Sequence, residues 1–384
     1  MLRVLIGIGL LSVLSGCGLF TQKDVTREPA PLVDFTPSVA VSGLVQWTVK
    51  ASSGLKAEQF LPLKPAIFDR KIFVSDPRNG VTVFNADTGK VVWKNALKNI
   101  PVSSGPGVNQ ELVIVGSNKG DLIALNSTTG AEVWRTELSS EILTPPQLAQ
   151  GVVVARTLDG KLWGIDSRSG QRTWVYERTV PVLTLRGAST PVLVSGAVIA
   201  GFDNGKLAAV QLDNGALLWE ASIAVPRGRS ELERMVDIDA DPVIMGDVLY
   251  VVSYRGRMVA MDLYSGRVLW EREMSSHAGL GADNRYVYVT DDQDHVWALD
   301  RFTGSAVWKQ TKLENRQLTA PVSTGQYVIV GDVEGYLHWM RAEDGQFVGR
   351  HQTDKSRILA PPILAQDRLY VYNQSGRISV LAVP

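Results

Sequence analysis

Cysteine is almost absent from the 384 residues: Cys17 is the single copy, so no disulfide can form within the chain and no redox pair is available. Histidine is nearly as scarce. His277, His295, His338 and His351 lie far apart, none at metal-ligand spacing from another, and each is expected in a surface or supporting role. An excess of charge is missing too: 39 Lys and Arg balance 39 Asp and Glu, which removes the bulk electrostatic case for nucleic acid. The acidic stretch Asp291-Asp292-Gln293-Asp294 lacks the glycine and distal glutamate of a calcium loop, and is expected to be a solvated turn. Neither a phosphate-binding glycine loop nor a nucleophile elbow occurs, so no cofactor and no catalysis are expected.

What the chain has in abundance is one repeated frame. In Ala124-Leu-Asn126-Ser-Thr-Thr-Gly130-Ala-Glu-Val-Trp134 a polar residue stands four places before a glycine and a tryptophan four places after it. The glycine and tryptophan return at Gly43/Trp47, Gly89/Trp93, Gly170/Trp174, Gly215/Trp219, Gly266/Trp270 and Gly304/Trp308, whereas Gly345 is followed by Gly349 in the tryptophan's place. A period of roughly 40 residues is the signature of propeller blades or similar arrays. The frame reads as a hairpin: β-formers on both sides, an Asn or Asp that closes an Asx-turn, and a glycine in the left-handed conformation of a type I turn plus bulge. Seven of the ten tryptophans share this position, so Trp47, Trp93, Trp134, Trp174, Trp219, Trp270 and Trp308 are expected to wedge between neighbouring repeats as docking residues.

A second marker fixes the register. A proline stands seven residues before the middle of a strong β-run, as in Pro65/Ile72, Pro106/Val113, Pro146/Val153 and Pro362/Leu369, and most units carry a further glycine turn. Each unit then holds four strands, and eight units are counted. The last stops at Pro384 before its outer strand, while Gly43 and Trp47 stand ahead of the first proline. The fold expected is therefore all-β, an eight-bladed β-propeller of four-stranded antiparallel blades, with the last blade closed by the N-terminal strand and no open edge left.

At the amino terminus, Arg3 precedes a short apolar run at residues 4–14 and then Leu14-Ser15-Gly16-Cys17. The run is too short to span a bilayer and reads as a signal peptide, residues 1–16. The motif resembles a bacterial lipobox, which implies lipidation at Cys17, and Gly18 rather than Asp after it implies the outer membrane, periplasmic face. Residues 17–40, polar and holding Pro29, Pro31 and Pro37, read as the lipidated cysteine and a flexible tether; residues 41–384 read as the propeller.

Two consecutive connectors between repeats are longer than the blades require, near residues 175–188 and 220–241. The first holds Leu183-Thr184-Leu185-Arg186 and the second Asp237-Ile238-Asp239. Being on neighbouring blades and one face, they should adjoin, and loops on a rigid scaffold are where recognition sits. The repeat itself resembles that of quinoprotein dehydrogenases, which would imply pyrroloquinoline quinone and Ca²⁺. The cysteine pair of that family is missing here, and it stands as the alternative reading. The lipobox, the eight repeats and the two loops together resemble the BamB family, the propeller lipoproteins of the outer-membrane β-barrel assembly machinery. That resemblance implies a non-enzymatic scaffold docking on the periplasmic POTRA domains of a BamA-type barrel protein. Its further partners would be other assembly lipoproteins, indirectly, and unfolded outer-membrane protein clients. The docking residues it implies are Leu183, Leu185, Arg186, Asp237 and Asp239.

Overall fold

In the computed structural model, residues 28–55, 61, 63–181, 183, 189–226 and 229–384 are described. They form eight four-stranded sheets, each antiparallel throughout. Seven sheets are consecutive in sequence, such as blade 2, built from Gly107–Val108, Leu112–Gly116, Asp121–Asn126 and Glu132–Glu137. The eighth joins the two ends of the chain: Val45–Lys50 pairs with Arg377–Ala382, Trp47 opposite Val380 and Lys50 opposite Arg377. The ring is thus closed by the N-terminal strand.

The alternation of large apolar side chains along the middle strands gives every blade two apolar faces, and the hydrophobic core is a ring of inter-blade layers rather than one centre. Ile114, Leu122 and Ala124 of blade 2 pack on Val153, Ala155 and Ile165 of blade 3, and the same joint recurs around the ring. Outside seven of the eight joints sits a tryptophan. Trp134 donates its Nε1–H to the carbonyl of Ser167 at 2.8 Å in the next blade and lays its ring over Gly170. Trp47, Trp93, Trp174, Trp270 and Trp308 make the same bond to the following blade, at 2.8–3.2 Å, and Trp219 covers Gly266. The turn glycine is needed twice over. Gly130 has φ 71°, and a Cβ there would stand 2.5 Å from Cε3 of Trp93. Asn126 Oδ1 accepts from the backbone of Thr128 and Thr129 at 3.0 and 2.8 Å, and the strand register slips at Ala124/Leu125, completing the turn and bulge.

The joint between blades 7 and 8 is built differently. Across the strands, Trp134, Trp174, Trp219, Trp270 and Trp308 face Ala124, Gly164, Ala209, Ala260 and Ala298. In blade 7 the pair is reversed, with Trp339 on the third strand facing Gly349 on the outer one. Trp339 is wholly buried, and the space over Gly349 is taken by Val41, whose Cγ2 would lie 2.5 Å from a Cβ at that glycine. Gly43, the glycine that a docking tryptophan at position 349 would have covered, has nothing above it within 4 Å.

Two turns differ from the sequence expectation. The positive φ between the middle strands of blade 5 falls on Arg255 (φ 49°), not on Gly256. The Asp291–Asp294 turn is solvated at Asp292 and Gln293, as expected, but braced at both ends. Asp291 Oδ2 accepts from Trp297 Nε1 at 2.8 Å, and Asp294, itself at φ 62°, accepts from the backbone of Gln317 and Leu318 at 2.9 and 2.8 Å.

Candidate functional site: the rim of the two long connectors

The two long connectors lead from the outer strand Arg172–Glu177 of blade 3 to blade 4, and from Leu217–Ser222 of blade 4 to blade 5. Their roots are tied together. Arg178 Nε donates to Glu220 Oε2 at 2.7 Å while stacking over Tyr176, and Lys206 holds the other oxygen of Glu220 at 2.7 Å. At their far ends the backbone N–H of Thr190 donates to Asp241 Oδ1 at 2.7 Å, and Asp241 also pairs with Lys64 from the other side of the ring.

The second connector carries one turn of helix, Glu231–Arg234, started by a capping box. Ser230 Oγ accepts from the Glu233 N–H at 3.2 Å, and Glu233 accepts in return from the Ser230 N–H at 3.1 Å. Beyond it the chain turns inward. Ile238 is wholly buried against the blade 4 strand at Gly201, and the Asp237 carbonyl accepts from the Tyr254 N–H at 2.9 Å.

The five docking candidates divide accordingly. Leu183 is 44% exposed, an apolar side chain presented to solvent. Leu185 and Arg186 lie outside the described residues, as do Cys17 and the signal segment before it. Asp237 is wholly buried, so its carboxylate is part of the floor and cannot itself meet a partner across this surface. Asp239 is half-buried, and its carboxyl is pushed up to about 7, first by burial and then by the charges of Asp237 and Asp203. Its Oδ1 has no hydrogen-bond partner. An acid held near neutrality at a surface site is stabilised by whatever brings it a donor.

Beneath this rim runs an ion pair that the repeat frame did not announce. Arg156 and Asp203, 3% and 4% exposed, pair between blades 3 and 4, and Arg156 also stacks on Phe202 and reaches Ser189. The sequence does carry a signal for it: an arginine in the otherwise apolar strand Val152–Thr157. Asp239 and Asp241 also border the mouth of the central channel, a cavity of about 610 Å³ shared with Thr144, His277 and Arg357. Among the described residues no group of three or more His, Cys, Asp or Glu could hold a metal ion. The rim therefore offers an exposed apolar side chain, an acid whose carboxyl is raised to about 7 and a fixed floor.

Comparison with known proteins identifies the family. The family model described as outer membrane protein assembly factor BamB matches residues 77–310. The outer membrane protein assembly factor BamB of Yersinia pestis is 35% identical, the alignment covering 98% of this chain and 97% of that one. The crystal structure of BamB from Moraxella catarrhalis superposes with a TM-score of 0.80 at 27% identity, covering 88% of this chain and 99% of that one. The quinohemoprotein alcohol dehydrogenase of Comamonas testosteroni, at 13% identity and a TM-score of 0.71 over 91% of this chain and 78% of its own, shares the fold alone. Matched by the family model over more than half its length and by relatives nearly end to end, the chain belongs to the BamB family of outer membrane protein assembly factors.

Proposed function

We propose that this chain is a non-catalytic scaffold of outer-membrane β-barrel assembly, anchored by lipid at Cys17 to the periplasmic face of the outer membrane. It docks through the connector rim on the POTRA domains of a BamA-type barrel protein. The mature chain divides into the lipidated cysteine with its tether, residues 17–40, and the propeller, residues 41–384. Other assembly lipoproteins join through that partner, and unfolded barrel clients are further candidates.

The observation that carries this reading is the joining of the two long connectors into one rim that exposes Leu183 and keeps Asp239 near neutrality. Leu183 and Leu185, separated by one residue, supply the apolar contact, Arg186 the charge that fixes register, and Asp239 an acceptor that awaits a donor from the partner. Asp237 acts from below, where its charge helps hold the carboxyl of Asp239 up. The test is co-purification from detergent-solubilised outer membrane with a tagged full-length chain. Leu183→Ala with Arg186→Ala should abolish recovery of the barrel protein and leave the melting temperature within about 2 °C of the parent, as for surface changes that touch no core. Wild-type recovery by a stably folded double variant sinks the assignment of this rim.

A further inference from the structure

The joint at Gly349 leads to the segment that fills it. Residues 29–39, expected to belong to a flexible tether, instead run along the outer edge of blade 7, held at Ala30, Val33, Phe35, Ser38 and Val39. The N–H of Ala30 donates to the Glu314 carbonyl at 2.9 Å, and Arg316 Nη1 donates to the Ala30 carbonyl at 2.8 Å. Arg350 Nη1 donates to the Val33 carbonyl at 3.1 Å, and its guanidinium lies 5.0 Å over Phe35, which in turn packs on Phe347 with ring centroids 5.6 Å apart. Ser38 and Val39 then both donate to the Val348 carbonyl at 2.9 Å, and Val41 drops over Gly349.

The two arginines are themselves fixed by a buried relay. Arg316, 2% exposed, donates through Nε to Asp332 Oδ2 at 2.8 Å and also pairs with Glu334. Asp332 meets His338 Nε2 at 2.8 Å, and His338 Nδ1 accepts from Arg350 Nε at 3.3 Å. That acceptor role makes His338 a neutral imidazole with its proton on Nε2. Both side chains are wholly buried, more investment in buried polar groups than an incidental contact needs.

The direction of the segment gives it meaning. Arg316 lies in the connector entering blade 7, and Glu334 in the turn between that blade's middle strands. Both stand on the face that carries the long connectors, two steps around the ring of eight from the second of them. We infer that residues 29–39 are a strap that fixes the exit of the lipid-bearing end at the rim of the docking face and sets the stand-off of the propeller from the membrane. The inference rests on the reading of Cys17 as lipidated. From Cys17 to Pro29 an extended chain reaches at most about 43 Å; freed back to Val41 it would reach about twice that, near 86 Å. The strap thus halves the reach of the anchor and commits one face of the ring to the membrane side.

The test uses the full-length chain with Cys17→Ala and spin labels on cysteines introduced at Glu28 and Glu343, at opposite ends of the strap's path. The parent should give one narrow distance distribution. Arg350→Ala and Phe35→Ala should each broaden it and move it outward while the melting of the ring shifts by no more than a few degrees. A broad distribution in the parent, or a narrow one kept in both variants, overturns the strap. In a second arm, lipidated protein carrying a dye at Lys355→Cys, in the exposed connector that leaves blade 7 on the strap's exit face, is bound to vesicles with labelled headgroups; energy transfer should fall at least twofold in Phe35→Ala relative to the parent, and equal transfer overturns the stand-off role. If the lipidation reading is wrong the parent will not bind vesicles at all, whereas the spin-label distances remain as stated, so the two failures are distinguishable.

Discussion

Blades 2 to 6 and blade 7 solve the same packing problem with opposite placements of bulk. In the regular blades the outer strand carries the tryptophan and the third strand an alanine or glycine; in blade 7 the third strand carries Trp339 and the outer strand Gly349. Either placement puts one indole in the layer. The difference lies in what closes the outside. A docking tryptophan reaches forward to cap the next blade's turn, whereas Gly349 leaves a groove that the chain's own amino-terminal segment fills through Val39 and Val41. The teaching is that the repeat is interrupted at the one joint through which the chain must enter the ring.

The largest way to break this comparison is at a regular joint. Trp134→Ala removes a ring that is 8% exposed together with its bond to Ser167, and a cost of about 3–5 kcal/mol is expected in denaturant unfolding. Trp47→Ala should cost as much. Trp47 comes from the other end of the chain but covers Gly89 and donates to Ala86 in the same geometry, so a much smaller loss would show that the termini contribute little to ring closure.

Next in size is an attempt to regularise the irregular joint. Gly349→Trp restores the repeat in sequence yet must collide with Val41 and face Trp339, and a loss of about 1–3 kcal/mol is expected. Adding Trp339→Ala recreates the pair of blades 2 to 6 and should recover part of that loss. If the double variant is no better than the single, measured by the same unfolding, the reversal of bulk is not what sets this joint apart.

This joint also marks where sequence reasoning stopped. The period, the turn glycines, the seven tryptophans and the split last blade are local patterns of residue type, and a frame repeated along one chain reports its own fold. The swap was legible in retrospect, since Trp339 stands where Ala124, Ala209, Ala260 and Ala298 stand in their frames. The packing of residues 29–39 was not, because proline-rich polar segments look alike whether or not Arg316 and Arg350 await them. At the rim, adjacency of the two connectors followed from topology. The burial of Asp237 did not, because it depends on Ile238 turning inward against Gly201, a tertiary event without a local signature.

A smaller effect separates blade 7 from the others by pH. Burial holds His338 below the ordinary histidine range, outweighing its bond to Asp332. As pH falls through about 6.5 the unfolded chain takes up a proton that the folded chain refuses, so stability declines from there downward, with a slope of at most about 1.4 kcal/mol per pH unit for one proton. His338→Gln should flatten the decline between pH 6.5 and pH 5 in thermal melts. An unchanged slope would place the titration elsewhere.

The last effect is the one most tied to function, and its sign is opposite to the others. Asp239, raised to about 7, binds a proton in the folded chain that the unfolded chain has already released above about 4. Stability is therefore lost as pH rises from about 4 to about 7, and stays at the lower level above that. Asp239→Asn removes the titration, so the variant should melt higher than the parent, with the gain absent at pH 3.5, growing through pH 5 and 6, and constant beyond pH 7.5. A residue that only served the fold would not be kept in a state that weakens it. If Asp239 instead waits for a donor from the docking partner, the same substitution should lower recovery of the barrel protein while raising the melting temperature. Melting and co-purification measured together at pH 7.5 separate the cases. A gain in stability with undiminished recovery would remove Asp239 from the docking rim, and no gain at all would mean that its carboxyl is not held near neutrality.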